Sequence, residues 1–228
     1  MPRNPRCILP GLPHHALQRG NNRSMIFHNQ ADKEYFLNNL KRSSLENKVA
    51  IGSYCLMTNH FHLLLYPESN KGFIQFMKNI SQIYSQYFNR KYKRTGKVWE
   101  NRYKLNIVEP EFEWVISRYI EQNPVRAGMV RVAEQYLYSS ARMHLEGKKD
   151  EILTKDIVKE KREKYRSFFS ENATEDQELL LQLRTVTQQE KVFGRADFIR
   201  ELEKRTNLCL SVRARGRPKK EKNKEEDK

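Results

Sequence analysis

Two hydrophobic periodicities alternate along the first 125 residues, and their order constrains the fold more than any other feature of the chain. Residues 13–19, Pro-His-His-Ala-Leu-Gln-Arg, read as a short strand closed by the turn signal Gly20-Asn21-Asn22. Asp32 is the expected cap of a helix running to about Asn47, with Tyr35, Phe36, Leu37, Leu40 and Leu45 as its apolar positions. Val49 to Met57 and His60 to Tyr66 read as two strands of a hairpin around Thr58-Asn59. After Gly72, the spacing of Phe73, Phe76, Met77, Ile80, Ile83, Tyr84, Tyr87 and Phe88 predicts a long amphipathic helix. Arg90 to Arg94 is basic, and Val98 to Val108 reads as a further extended segment. The order strand, helix, strand, strand, helix, strand predicts an α+β, ferredoxin-like (RRM-like) antiparallel sheet with helices on one face. Pro110 starts one more helix, expected to run to about Asn123 and to end before Pro124.

The polar stretch Glu146 to Asp150 divides the chain into an expected domain over 1–146 and a helical region over 147–210. Ile152 to Phe169, Asp176 to Arg184 and Arg195 to Thr206 are its predicted helices, and the basic residues 211–228 read as a disordered tail. Lys and Arg number 43 against 28 Asp and Glu, a net charge of +15. Such an excess points to a polyanionic partner. No strongly hydrophobic amphipathic helix accompanies it, which favours nucleic acid over a membrane surface. The densest apolar stretch, His62 to Tyr66, is far shorter than the roughly 20 residues that cross a bilayer. Pro2, Pro5, Pro10 and Pro13 without an apolar run argue against a secretory signal. Cys7, Cys55 and Cys209 form no C-x-x-C pair, so neither a disulfide framework nor a Cys-rich zinc site is expected, and a cytoplasmic setting fits.

Chemistry concentrates in two segments. In a strand, His60 and His62 point to the same face, where two imidazoles can chelate a divalent ion while Phe61 and Leu63 enter the core. The same pair also fits surface or polar-core histidines. In the helix after Pro110, Tyr119 and Asn123 stand four apart on one face. Taken alone, they also fit a core aromatic and a helix terminator. His14 and His15 lie on the first strand, where a polar surface role is expected, although one of them can face the sheet centre.

Four motifs occur in order: Gln18-Arg19-Gly20-Asn21-Asn22-Arg23; Met57-Thr58-Asn59-His60-Phe61-His62-Leu63-Leu64; Gly96-Lys97-Val98-Trp99-Glu100-Asn101-Arg102-Tyr103; and Tyr119-Ile120-Glu121-Gln122-Asn123-Pro124-Val125-Arg126-Ala127-Gly128. On these motifs, residues 8–145 resemble the REP-associated tyrosine transposases, a branch of the single-tyrosine HUH transposases. The resemblance implies a metal-dependent endonuclease and strand transferase that cleaves single-stranded, hairpin-forming repeat DNA through a covalent 5′-phosphotyrosine. It maps the nucleophile to Tyr119 and the ligands of Mg²⁺ or Mn²⁺ to His60, His62 and Asn123. Gln122 stands one position early as an alternative third ligand. A phenol, with a reference pKa of about 10, is a poor nucleophile near neutral pH, so adjacent positive charge is needed to favour the phenolate.

Tyr84 and Tyr87 belong to an apolar stripe and read as core, whereas Tyr92 and Tyr103 lie among basic residues that suit base stacking. Arg19, Arg23, Arg90, Lys91, Lys93, Arg94, Lys97, Trp99, Arg102, Tyr103 and Lys104 form the expected DNA-binding set; the same pattern also fits a solvated basic face with buried aromatics, Trp99 in the core among them. Arg215 and Arg217, in an Arg-Gly-Arg-Pro motif, suit a narrow minor groove but equally fit a plain basic tail, and the helices of 147–210 fit either a second DNA contact or simple packing. Relatives occur as monomers and as homodimers, and both assemblies stay open. A non-catalytic nucleic-acid-binding regulator and a hydrolase in which water attacks are the alternative functions.

Overall fold

The structure, a computed structural model, describes residues 6–171 and 173–212, with 173–177 described as backbone only. Strands β1 (His14–Arg19), β2 (Val49–Leu56), β3 (His60–Pro67) and β4 (Lys104–Ile107) form one antiparallel sheet in the order β2-β3-β1-β4. Helix α1 (Gln30–Asn47) joins β1 to β2, and α2 (Asn70–Lys91) joins β3 to β4. This is the expected α+β architecture. Side-chain alternation sends Ala16, Phe61, Leu63, Leu65 and Leu105 to the α1/α2 face, where they bury against Phe36, Leu40, Phe73, Phe76, Ile80 and Tyr84.

Several boundaries differ from those expected. Asn29, not Asp32, caps α1: its side chain accepts from the Asp32 N–H at 3.2 Å, and Asp32 Oδ2 accepts from the Asn29 N–H at 3.3 Å. Asp32 is fully buried and also accepts from Lys91 Nζ (2.6 Å), Tyr92 OH (2.7 Å), Tyr87 OH (3.1 Å) and the His28 N–H (2.8 Å), so it ties the start of α1 to the end of α2. Burial pushes the Asp32 carboxyl up, but these hydrogen bonds outweigh it and hold the group below its ordinary value. Helix α2 begins before Gly72, because Ser69 Oγ accepts the Gly72 N–H at 3.0 Å and caps it there. In the extended segment after residue 97 only Lys104 to Ile107 pairs as a strand, while Trp99 bridges to Gly20. Gly20 packs so closely that a Cβ would fall on Ser24 O and Ile26 Cγ2.

The second face of the sheet is covered by later chain. Helices α3 (Glu113–Glu121), α4 (Asn123–Arg126), α5 (Ala141–Glu146), α6 (Arg162–Ser170) and α7 (Ala173–Gln189) follow one another, and α8 (Ala196–Thr206) comes last. Cys55, Leu64, Tyr66, Ile116, Ile120, Leu145, Tyr165 and Val186 form the core on this side. Pro124 lies in the first turn of α4, so it opens a new turn where α3 stops. The helix expected over Ile152 to Phe169 is present only from Arg162. The chain before it runs beside the irregular register at Ile51 and Ser53, where Thr154 Oγ1 accepts from the Ile51 N–H at 2.8 Å and the Thr154 N–H donates to Ile51 O at 3.1 Å. Those backbone groups of β2 are satisfied by an irregular, bending segment, not a helix. Within 147–210, Phe193 pairs with Val108, and the carboxylate of Glu109 accepts from the backbone and side chain of Arg195.

A buried polar cluster fastens α3. The Glu121 carboxylate, fully buried, accepts from Tyr165 OH at 2.9 Å and Ser140 Oγ, and pairs with His144 Nδ1. Ser53 Oγ on β2 lies 2.9 Å from both Ser117 Oγ and Ser140 Oγ. One carboxylate thus joins α3, β2, α5 and α6.

Replacing Asp32 with Ala removes the capping partner and leaves several donors unsatisfied. A loss of about 3 kcal/mol is expected, read from the urea midpoint. His14 supplies a second test. It is fully buried, its Nδ1–H donates to Leu12 O at 2.8 Å and its Nε2 accepts from the Leu9 N–H at 3.1 Å. Burial lowers His14, and likewise His15, from 6.5 to about 4. Below about 6.5 the unfolded chain takes up protons that the folded chain refuses. Their contribution to stability is therefore complete above the unfolded value and lost as pH falls towards about 4. The Tm is expected to be level above pH 7 and to fall steadily between pH 6.5 and 4.5; a level Tm over that interval would contradict neutral burial.

Candidate catalytic site on the second face of the sheet

The pleat of β3 that puts Phe61 and Leu63 in one core turns His60 and His62 to the α3 side. Their rings stand 5.1 Å apart between centroids. Across the sheet, Arg19 pairs with His60 and Leu17 with His62. Tyr119, half-buried on α3, meets the His62 ring edge-on at 5.5 Å. Asn123 begins α4 one turn later, and its Nδ2 donates to Tyr119 O (2.9 Å) and Ile120 O (3.1 Å), which leaves Oδ1 as its accepting atom. His60, His62, Tyr119 and Asn123 all line one cavity of about 380 Å³, together with Arg19, Arg102 and Lys104. Gln122 is not among its walls; its Oε1 lies 3.4 Å from Arg126 Nη1.

Both histidines are neutral near pH 7. Burial, with the charge of Arg19, lowers His60 to about 4. Burial, then His60, His15, Arg126 and Arg19, holds His62 well below 6.5. Each ring already engages Nδ1: His60 lies 2.7 Å from Asn59 Oδ1, and His62 lies 2.9 Å from His15 Nε2. That leaves the Nε2 atoms as the nitrogens the two rings can offer a ligand. Among the described residues no group of three or more His, Cys, Asp or Glu side chains is arranged to hold a metal. Two neutral imidazoles and one amide oxygen nevertheless suit a divalent cation that takes its remaining donors from phosphate and water, so the residues present fit such an ion.

His15 corrects the expectation of a polar surface role for the first-strand histidines. β1 lies between β3 and β4 and is covered on both faces, so His14 and His15 are fully buried. His15 stacks parallel to His62 at 5.2 Å and meets Tyr119 edge-on at 5.9 Å. Arg126 holds its guanidinium 4.7 Å above the Tyr119 ring. Thr187 and Arg184 of α7 also line the cavity; no motif in that helix signalled them.

The expected DNA-binding residues divide. Arg19, Arg102 and Lys104 line the cavity. A neighbouring cavity of about 820 Å³ shares Arg102 and Lys104 and adds Arg6 and Lys191. Arg23, Arg90, Lys93, Arg94 and Lys97 are exposed. Lys91 is held on Asp32, and Trp99 packs against Phe61 and Tyr84 with Nε1–H donating to Ser81 O. Tyr103 lies under the Arg6 guanidinium at 3.8 Å, and the Tyr92 ring stacks on His28. Among the rival tyrosines, Tyr84 is fully buried and Tyr87 binds Asp32. Arg215 and Arg217 lie outside the described residues. No helix among those residues is long and apolar enough to cross a membrane.

Comparisons with known proteins follow the same lines. A solved REP-associated tyrosine transposase bound to a REP hairpin has a similar fold, with a TM-score of 0.52 and 17% identity, over 69% of this chain and 93% of that one. A crystal structure from Deinococcus radiodurans R1, described provisionally as a transposase, gives a TM-score of 0.38 at 17% identity, over 52% and 95%. Comparison with curated proteins gives no match. The family model described as "Transposase IS200 like" matches residues 10–123, half of the 228 residues and the stretch that holds the histidine pair, the tyrosine and the asparagine. The chain belongs to the IS200-like transposases.

Proposed function

We propose that this transposase is a metal-dependent single-strand DNA endonuclease and strand transferase that cleaves hairpin-forming repeat DNA with Tyr119 as nucleophile. The observation that carries the reading is the edge-on contact of Tyr119 with His62 in a cavity that also takes His60 and Asn123 from the same chain. His60, His62 and the Asn123 carboxamide oxygen would hold Mg²⁺ or Mn²⁺. When bound, that ion polarises the scissile phosphate and offsets the charge that develops on it. Tyr119 Oη attacks phosphorus, the P–O3′ bond breaks, the phenolic proton passes to solvent while the departing O3′ takes up a proton from water, and a 5′-phosphotyrosine and a free 3′-OH result. The phosphotyrosine keeps the energy of the broken phosphodiester, so a 3′-OH can rejoin DNA without ATP.

The charge of +15, the cations Arg19, Arg102 and Lys104 at the cavity and their continuation to Arg6 and Lys191 support a polyanionic strand as substrate. The fold-related REP-associated transposase was solved with a REP hairpin, which supports a repeat hairpin as the substrate class. Because one chain brings the tyrosine and the histidines together, a monomer suffices for the site.

The test is a denaturing gel of labelled hairpin DNA incubated with protein and Mn²⁺. The wild type is expected to form a covalent adduct that EDTA abolishes. Tyr119→Phe should form none, and His60→Ala or His62→Ala should slow cleavage roughly a hundredfold or more, since several kcal/mol of charge stabilisation are lost. An adduct that persists in Tyr119→Phe defeats the assignment. Cleavage without an adduct in that variant favours attack by water. Tight binding without cleavage, indifferent to EDTA, favours a regulator.

A further inference from the structure

The sequence motifs pass over His15, yet it touches both halves of the proposed site. It has no solvent exposure, and its Nε2 lies 2.9 Å from His62 Nδ1 with the two rings parallel to within 1°. It also meets the Tyr119 ring edge-on. The β1–β3 register sets Leu17 opposite His62 and His15 opposite Leu64, so His15 and His62 are diagonal neighbours on one face. Two imidazoles that share a hydrogen bond have two arrangements. If His62 carries its proton on Nδ1 and donates to His15, its Nε2 presents a lone pair. If His15 donates instead, the His62 proton sits on Nε2 and blocks a cation.

We infer that His15 is a positioning residue that accepts the Nδ1–H of His62 and thereby holds the His62 Nε2 lone pair ready for a divalent cation. The inference rests on the proposed metal role of His60 and His62. Metal-binding histidines commonly donate their second N–H to a buried acceptor, which sets both tautomer and ring orientation. Without His15, a buried Nδ1–H of His62 would lack its acceptor. The ring would then favour the tautomer with its proton on Nε2, where cavity water can accept it. On the other side of His15, Asn106 of β4 is its partner in the register, and Thr187 Oγ1 donates to Asn106 Oδ1 at 3.2 Å. His15 thus also touches Tyr119 and Asn106, but of the three proposed ligands it hydrogen-bonds only His62.

The experiment measures Mn²⁺ binding to the full chain without DNA, by electron paramagnetic resonance, for wild type, His62→Ala, His15→Phe and His15→Gln. His15→Phe keeps the ring without the acceptor, and His15→Gln restores an acceptor. His15→Phe is expected to weaken Mn²⁺ binding about 10- to 100-fold, and His15→Gln to recover most of it. Hairpin binding in EDTA should stay unchanged in both. Nitrogen-15 spectra of the wild type should show His62 protonated on Nδ1. Equal Mn²⁺ affinity in wild type and His62→Ala would refute the parent reading. If those two differ, His15→Phe binding Mn²⁺ within about twofold of wild type overturns the inference. So do equal losses in the Phe and Gln variants, which would point to packing. If His15→Phe fails to fold, the wild-type spectrum decides, and a His62 proton on Nε2 overturns the inference.

Discussion

The pleat of β3 is the constraint on which the rest depends. Alternate residues of one strand must serve opposite surfaces: Phe61, Leu63 and Leu65 complete the core under α1 and α2, and His60 and His62 face the other way. A one-residue slip in register would put imidazoles into the apolar core and phenyl and leucyl groups into the cavity. The hydrophobic demand of one face therefore fixes the chemistry of the other, and the site inherits the rigidity of a central strand paired on both sides.

The second partner, Tyr119, has to be brought to that face by an element outside the ferredoxin-like core. Apolar packing of Ile116 and Ile120 seats α3 on the sheet. Its rotation about its axis is set by Glu121, buried and linked to β2, α5 and α6 through Ser53, Ser140, His144 and Tyr165. A buried carboxylate without those partners would be costly, so the polar cluster has one low-energy arrangement. In it Tyr119 faces the histidines. The chain beyond residue 147 takes part: Tyr165 completes the Glu121 cluster, and Thr187 lines the cavity beside Tyr119.

Much of this was legible locally. Period-two and period-3.6 runs placed the four strands and both crossover helices, and the spacing of His60 and His62 implied their common face. Caps were less legible, because Asn29 and Asp32 are both good cap residues and only the backbone conformation decides between them; Asp32 turned out to anchor two helices. Lys91 read as one of several basic residues, yet its ammonium is held by that buried carboxylate. The segment after Ile152 has helix-compatible residues, but its backbone is satisfied by the irregular edge of β2.

By itself the sequence determined the order of elements, the alternation that separates the histidines from the core, and the polyanion-seeking charge. These follow from nearest-neighbour geometry and composition, which need no knowledge of what lies across the sheet. Only the tertiary structure decided that Tyr119 meets His62 within one chain, that α7 walls the cavity and that His15 lies behind His62. Those juxtapositions join residues as far apart as 15 and 62, or 62 and 119. They depend on strand order and helix packing, which are properties of the whole buried surface and of no local segment.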